Sequence, residues 1–128
     1  NGTYDEKHES FAMDVFDFFK QSSEAYDLMV VDPPAFAKSL KKRHNAVQGY
    51  KRLNAAAFEK VKSGGIMFTF SCSQVIDRRL FQDTIVAAAL ESGRKIRILH
   101  QLNQGPDHPV NLYHPEGSYL KGLVLYVD

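Results

Sequence analysis

The chain has one cysteine, Cys72, set between two serines at the end of the run Phe68-Thr69-Phe70-Ser71-Cys72-Ser73. A thiolate in an accessible loop is a nucleophile and can form a covalent intermediate. A lone cysteine is more often a small buried hydrophobe, but a site between two serines just past an apolar run gains little from such a residue. A second run with chemical content is Asp32-Pro33-Pro34-Ala35-Phe36, which follows the apolar stretch Tyr26 to Val31. A carboxylate there can hydrogen-bond an amine and stabilise developing charge. Two successive prolines make a stiff wall against which a planar ring can lie. The plainer alternative is an aspartate that ends a strand ahead of a rigid turn.

Both runs need elements that bring them together. Tyr26 to Val31 (YDLMVV) is continuously apolar but for Asp27, as expected of a strand buried on both faces. Ala46 to Lys62 has helical period, with Val47, Tyr50, Leu53, Ala57, Phe58 and Val61 on one stripe and Gly64-Gly65 as its end. Ile66 to Phe70 reads as a second buried strand and Asp77 to Ser92 as a second helix, stopped by Gly93. Lys95 to Gln101 alternates as a third strand. Asn103 to Gly117 is a loop rich in Gly, Pro and His, and Tyr119 to Val127 is a last strand. Ahead of these, Phe11 to Met13 reads as the end of a short strand, and Val15 to Gln21 as a short helix with Asp14 as its N-cap.

Alternating strand and helix predicts an α/β fold with a mostly parallel sheet. The last strand returns through a loop without a helix, which predicts an antiparallel insertion. In such sheets ligands bind beyond the carboxyl ends of the strands. The Asp32 and Cys72 loops both lie at such ends, and a single helical crossover places them across one cleft.

At 128 residues the chain has room for one core, and 44% hydrophobic with 24% charged residues is the balance of a globular domain. The net charge of +1 gives no global argument for nucleic acid, so that argument must be local. A single cysteine excludes an internal disulfide and fits a reducing, cytoplasmic setting. No apolar run approaches the ~20 residues needed to span a bilayer, and Asn1 to Ser10 has no apolar core of a secretory signal.

Asp32-Pro33-Pro34-Ala35-Phe36, Gln48-Gly49-Tyr50-Lys51, Phe68-Thr69-Phe70-Ser71-Cys72-Ser73, Asp107-His108-Pro109 and Tyr119-Leu120-Lys121-Gly122 occur in that order across nearly the whole chain. Together they resemble the bacterial 23S ribosomal RNA large-subunit cytosine-C5 methyltransferase family. The ordered set carries the resemblance, since Asp-Pro-Pro alone is common among methyltransferases. It implies the C-terminal half of a Rossmann-like class I fold that uses S-adenosylmethionine. It also implies Cys72 as the nucleophile, Asp32 as an acid near methyl donor and target base, Asp32 and Pro33 beside the cofactor, and Asp14 as the residue that recognises its adenine. Pro34 and Phe36 would face the substrate base. The Gly-rich cofactor loop of that class does not occur in the chain. Residues 1–128 are therefore expected to form a partial catalytic domain, inactive alone and exposing an apolar sheet edge open to self-association, as in a homodimer.

Lys38, Lys41, Lys42 and Arg43 form a basic run after the proline loop. Such a run is either a solvated loop or, beside a cleft that holds ribosomal RNA, a set of phosphate contacts. His108 and His114 lack the convergent partners of a metal site, and no metal is expected. Tyr119 and Lys121, where the last strand begins, read as structural. Two other functions compete with cytosine-C5 methylation: methylation of an RNA nitrogen on the same scaffold, which needs no thiol, and a non-catalytic fragment or binding module.

Overall fold

A computed structural model of the chain describes residues 8–36 and 39–128. A short helix α1 (Val15–Gln21) precedes strand β1 (Tyr26–Val31). Helix α2 (Arg43–Glu59), strand β2 (Val61–Ser71), helix α3 (Arg78–Ser92), and strands β3 (Ile96–Leu102) and β4 (Lys121–Val127) follow. The sheet order is β1-β2-β4-β3. β1 and β2 are parallel, and β4 is antiparallel to both of its neighbours. Three strands thus run one way and the last is inserted against them, as the helix-free return predicts. The N-terminal end of β4 consequently lies at the same edge of the sheet as the C-terminal ends of β1, β2 and β3.

Local signals set the helix ends. The Asp14 carboxylate accepts from the backbone N–H of Phe16 and Asp17, and Asp77 accepts from that of Leu80 at 2.7 Å. Gly93 closes α3 at φ 73°, a conformation that favours glycine. The core lies between the helix pair and the sheet. Tyr50, Phe58, Phe81 and Ile85 from the helices join Met67, Leu123, Leu125 and Val127 from the strands. At the end away from the candidate site, the Arg94 guanidinium donates to the carbonyls of Phe58, Val61 and Asp128. One side chain there ties the end of α2, the start of β2 and the end of β4.

Four expectations need correction. Phe11 to Met13 is not a strand among the described residues; it leads as coil into the Asp14 cap. Gly64-Gly65 does not end α2. The helix stops at Lys60, and both glycines lie inside β2, which begins at Val61. Arg43 opens α2 rather than closing the basic loop, and a single 3-10 turn at Leu40–Lys42 precedes it. β1 is not buried on both faces: it is an edge strand, and Leu28 and Val30 are 58% and 60% exposed. Its apolar character is real, but among the described residues nothing covers that face.

Gly65 sits in β2 opposite Val127. A Cβ there would lie 2.6 Å from Val61 Cγ1, 2.9 Å from the Lys62 carbonyl oxygen and 3.0 Å from that of Asp27. Two of these neighbours are backbone and cannot turn aside. Gly65→Ala is expected to cost about 1–3 kcal/mol, the usual penalty of overpacking, read as a lower urea midpoint. An unchanged midpoint would contradict this account of the turn from α2 into β2.

Candidate active site at the strand ends

β1 and β2 continue in register to Val31 opposite Thr69. Asp32 is one residue past that pair and Cys72 three residues past it, so both chains leave the sheet side by side. The Asp32-Pro33-Pro34 segment does not run straight out. It folds back over α2, where the Phe36 ring lies on Gly49 and meets the Tyr50 ring edge-on at 4.6 Å. A Cβ on Gly49 would sit 3.2 Å from the Phe36 ring, so the glycine makes the close approach possible. Tyr50 is also edge-on to Phe81 at 6.0 Å. Its ring is clamped between the two.

The Cys72 loop is fixed on both sides. The Ser71 hydroxyl accepts from the Ser73 backbone N–H at 3.3 Å, and the Lys121 ammonium donates to the Ser73 carbonyl at 2.6 Å. Ser71, Ser73 and Lys121 are buried, and Cys72 between the serines is half-buried. Lys121 comes from the first residue of β4, which the antiparallel return brings to this edge. Its bond to Ser73 ties the start of β4 to the loop that carries the thiol.

A groove of about 900 Å3 runs along β1 beneath α1. Asp14, Asp32, Pro33, Pro34 and Phe36 line it, with Leu28 and Val30 on its apolar wall. The fold therefore brings together five of the residues singled out by the sequence. Cys72 is not part of the groove's lining. Both N–H bonds at Asp14 go to Oδ1, which leaves Oδ2 for another donor. The helix cap and a ligand contact are therefore compatible roles. Lys41, Lys42 and Arg43 are exposed and outside the groove. Arg43 instead lines a shallow depression between the starts of α2 and α3, where His44 and Arg79 are interleaved with Asp77 and Asp83. Lys38 lies outside the described residues. Among the described residues no group of three or more His, Cys, Asp or Glu is placed to hold a metal ion.

Sequence reasoning missed Tyr50, whose place on an apolar stripe gives no sign of where its hydroxyl ends. The side chain is fully buried, yet its hydroxyl completes no hydrogen bond among the described residues. Burial pushes its ionisation above the usual phenol value, with the hydroxyl of Ser71, the charge positions of Cys72 and Asp32 and the backbone of Phe36 acting on it more weakly. The hydroxyl thus sits where the two loops meet. Ser71 and Phe36 are close enough to influence it, but neither reaches hydrogen-bond geometry. Burial likewise pushes the Lys121 ammonium below the usual lysine value; Cys72 and Asp77 act against that shift and Arg78 adds to it.

No protein-family model matches the chain. It is 43% identical over 107 residues to the ribosomal RNA large subunit methyltransferase I of Aeromonas salmonicida, covering 84% of this chain and 27% of that protein. It is 41% identical over 130 residues to the protein of the same name from Alteromonas mediterranea, covering 99% of this chain and 33% of that protein. The chain spans about a third or less of the length of these curated relatives. Among solved structures it superposes, at TM-score 0.73 and 24% identity, on a candidate S-adenosylmethionine-dependent methyltransferase from Streptococcus mutans. A candidate methyltransferase solved in complex with SAH gives a TM-score of 0.74, also at 24% identity. Each match covers 90% of this chain and 30% of the other. The fold is that of the α/β S-adenosylmethionine-dependent methyltransferases. The relatives' names agree with the ribosomal RNA resemblance, and none of them states a base or an atom.

The Lys121 shift has a consequence for stability. The native state releases this proton at lower pH than the unfolded chain, whose lysine titrates near 10.5. Between those two values the unfolded state binds more protons, so stability rises with pH. Wild type is therefore expected to gain on Lys121→Met as pH is raised toward 10.5, measured as the difference in urea midpoints. A difference that stays constant or moves the other way would show that Lys121 is not held at a desolvation cost.

Proposed function

We propose that the chain is part of the catalytic domain of an S-adenosylmethionine-dependent ribosomal RNA methyltransferase that acts on cytosine C5, with Cys72 as nucleophile and Asp32 as the acid beside it. The observation that carries this is the emergence of the Cys72 and Asp32-Pro33-Pro34 loops side by side from adjacent parallel strands. The names of the sequence relatives support the substrate class, and the methyltransferase fold supports the reaction class. No helix of the described residues is long and apolar enough to cross a membrane. The cytoplasm, where ribosomal RNA is modified, is the matching compartment.

The groove beside β1 suits one side of S-adenosylmethionine. Leu28, Val30 and Pro33 offer apolar surface for an adenine ring, while Asp14 and Asp32 set carboxylates at two separate points for amino and hydroxyl groups. Bound there, the cofactor supplies an electrophilic methyl group on a sulfonium. The exposed apolar face of β1 is read as the surface that further polypeptide of a full-length protein covers, in preference to a second copy of the chain.

Cytosine C5 is a weak nucleophile, and the thiol answers that difficulty. The Cys72 thiolate adds to C6 and makes C5 enamine-like. C5 then forms a bond to the methyl carbon as the methyl–sulfur bond breaks. A base removes the C5 proton, the C5–C6 double bond re-forms, and the thiolate leaves C6. One hard step becomes several easier ones. Asp32 hydrogen-bonds the base and stabilises the charge that develops on it. Pro34 and the Phe36 ring, which is 42% exposed, form the wall for the flipped ring. Lys41, Lys42 and Arg43, outside the groove, are read as phosphate contacts, and the same role is proposed for Lys38, which lies outside the described residues.

In the full-length protein, Cys72→Ser is expected to lower methylation of ribosomal RNA by more than about a thousandfold while leaving cofactor binding near wild type, because the thiol acts on the base. An RNA carrying 5-fluorocytosine should trap an adduct at Cys72, since fluorine cannot leave C5 as a proton. A Cys72→Ser protein that methylates at the normal rate would refute the C5 mechanism and leave methylation of a nitrogen as the better reading.

A further inference from the structure

Near the Cys72 loop two buried polar groups lack, among the described residues, a partner that accounts for them. Lys121 is 6% exposed, and its ammonium has three donors but, among the described residues, a single acceptor, the Ser73 carbonyl at 2.6 Å. Among the described residues no carboxylate lies within ion-pair distance of it. The carboxylate of Asp77 caps α3 through the Leu80 N–H. Arg78 adds a second cation nearby and makes the Lys121 charge harder to hold. A buried cation with no anion is costly and calls for an explanation. Among the described residues the fully buried Tyr50 hydroxyl is an orphan donor, and an unsatisfied buried polar atom in a native core is rare enough to mark a function.

We propose that Lys121 and Tyr50 are positioning residues for Cys72, the Lys121 ammonium acting as the counter-charge of the Cys72 thiolate and the Tyr50 hydroxyl as a hydrogen-bond donor to it. This deepens, and rests on, the reading of Cys72 as the nucleophile. Lys121 holds the carbonyl of the residue next to Cys72, so its charge is delivered beside the sulfur by a bond that also fixes the loop. Tyr50 reaches the same loop from α2 with its ring clamped by Phe36 and Phe81, so its donor has few other places to go. The chemistry suits both groups. A thiolate gains from a nearby ammonium and from a neutral donor, and burial keeps the Tyr50 phenol protonated through neutral pH. The charge positions of Cys72 and Asp32 act on the Tyr50 hydroxyl, and those of Cys72, Asp77 and Arg78 act on the Lys121 ammonium, so these groups share one neighbourhood. Carboxylates at Asp32 and Asp77 oppose an anion there; Lys121, Arg78 and the Tyr50 donor favour it.

The test reads thiol reactivity without RNA or cofactor. The full-length protein is alkylated with iodoacetamide over a range of pH, and the Cys72 peptide is quantified by mass spectrometry. Lys121→Met is expected to move the midpoint of the pH–rate profile to higher pH by about one pH unit, the effect of losing a close opposite charge. Tyr50→Phe should move it in the same direction by less, and Lys121→Arg should restore most of the wild-type profile. Tyr50→Phe should also resist urea at least as well as wild type, since phenylalanine leaves no orphan hydroxyl. That combination of lower thiol reactivity with undiminished stability is not what a packing role produces. If Lys121→Met fails to fold, the Tyr50→Phe profile alone decides. Profiles that coincide with wild type, or a Tyr50→Phe protein that loses reactivity only because it unfolds, would overturn the proposal. Methylation by Cys72→Ser is assayed separately: normal turnover there, together with the expected alkylation shifts, would sink the functional reading and leave the thiolate site standing.

Discussion

The buried hydrogen bond between Thr69 and Asn54 is the constraint on which the site geometry rests. The Thr69 hydroxyl donates to Asn54 Oδ1 at 2.6 Å, and Asn54 Nδ2 donates to the Tyr50 carbonyl at 2.8 Å. Both side chains are fully buried. An apolar interface between a helix and a sheet tolerates small slips, because one methyl group replaces another at little cost. A buried amide paired with a buried hydroxyl does not, since any slip leaves both unsatisfied. The pair therefore fixes how far α2 sits along β2. One turn along α2, toward the site, stands Tyr50; two residues along β2, in the same direction and on the same face, stands Ser71. The meeting of Tyr50 with the Ser71-Cys72 loop is a consequence of where Asn54 is held.

Topology supplies the rest. The parallel pairing of β1 and β2 puts the ends of both strands on one side, and the crossover through α2 is what makes that pairing possible. The antiparallel return of β4 then brings a strand start, not a strand end, to the same edge, so a lysine at the first position of β4 can hold the loop after β2. Gly122, next in β4, lies opposite Phe70, and the Phe70 ring occupies the space its side chain would take. The junction of β2 and β4 is thus closely packed immediately before the Cys72 loop opens.

Much of this was legible in the sequence because the signals were local. The span of β1, the Asp14 cap, the Gly93 stop and the helix-free return before β4 each follow from a short run of residues. What misled were residues with two common meanings. Gly64-Gly65 reads as the end of a helix, but Lys60 already ends it, and Gly65 is needed where β2 presses on Val61 and on the backbone of Asp27. The apolar run of β1 reads as burial on two faces. A sequence reports the preference of Leu28 and Val30 for cover but not whether cover is present. At the site, Asp32 and Cys72 were visible as residue types at strand ends. Tyr50 was visible only as one more member of a stripe. Its role depends on the depth of α2 against β2, a tertiary quantity that no periodicity records.

The distribution of local costs separates this corner from the rest of the molecule. Between α2 and α3 the contacts are ordinary: apolar side chains meet, Lys51 pairs with Glu91 at the surface, and the buried Thr84 hydroxyl is spent on the Leu80 carbonyl of its own helix. At the far end of the sheet Arg94 reaches three carbonyls. At the near end, beside the Cys72 loop, the fold keeps a buried lysine without a carboxylate and a buried phenol without an acceptor among the described residues. Folding alone gives no reason to keep either, since a methionine and a phenylalanine fill similar space without desolvating a charge or a hydroxyl. Natural sequences break the rules of polar burial mainly where a site needs a preorganised charge or donor. The two exceptions lie beside a single thiol-bearing loop, one cationic and one a neutral donor, and both are groups that an anion on sulfur would satisfy.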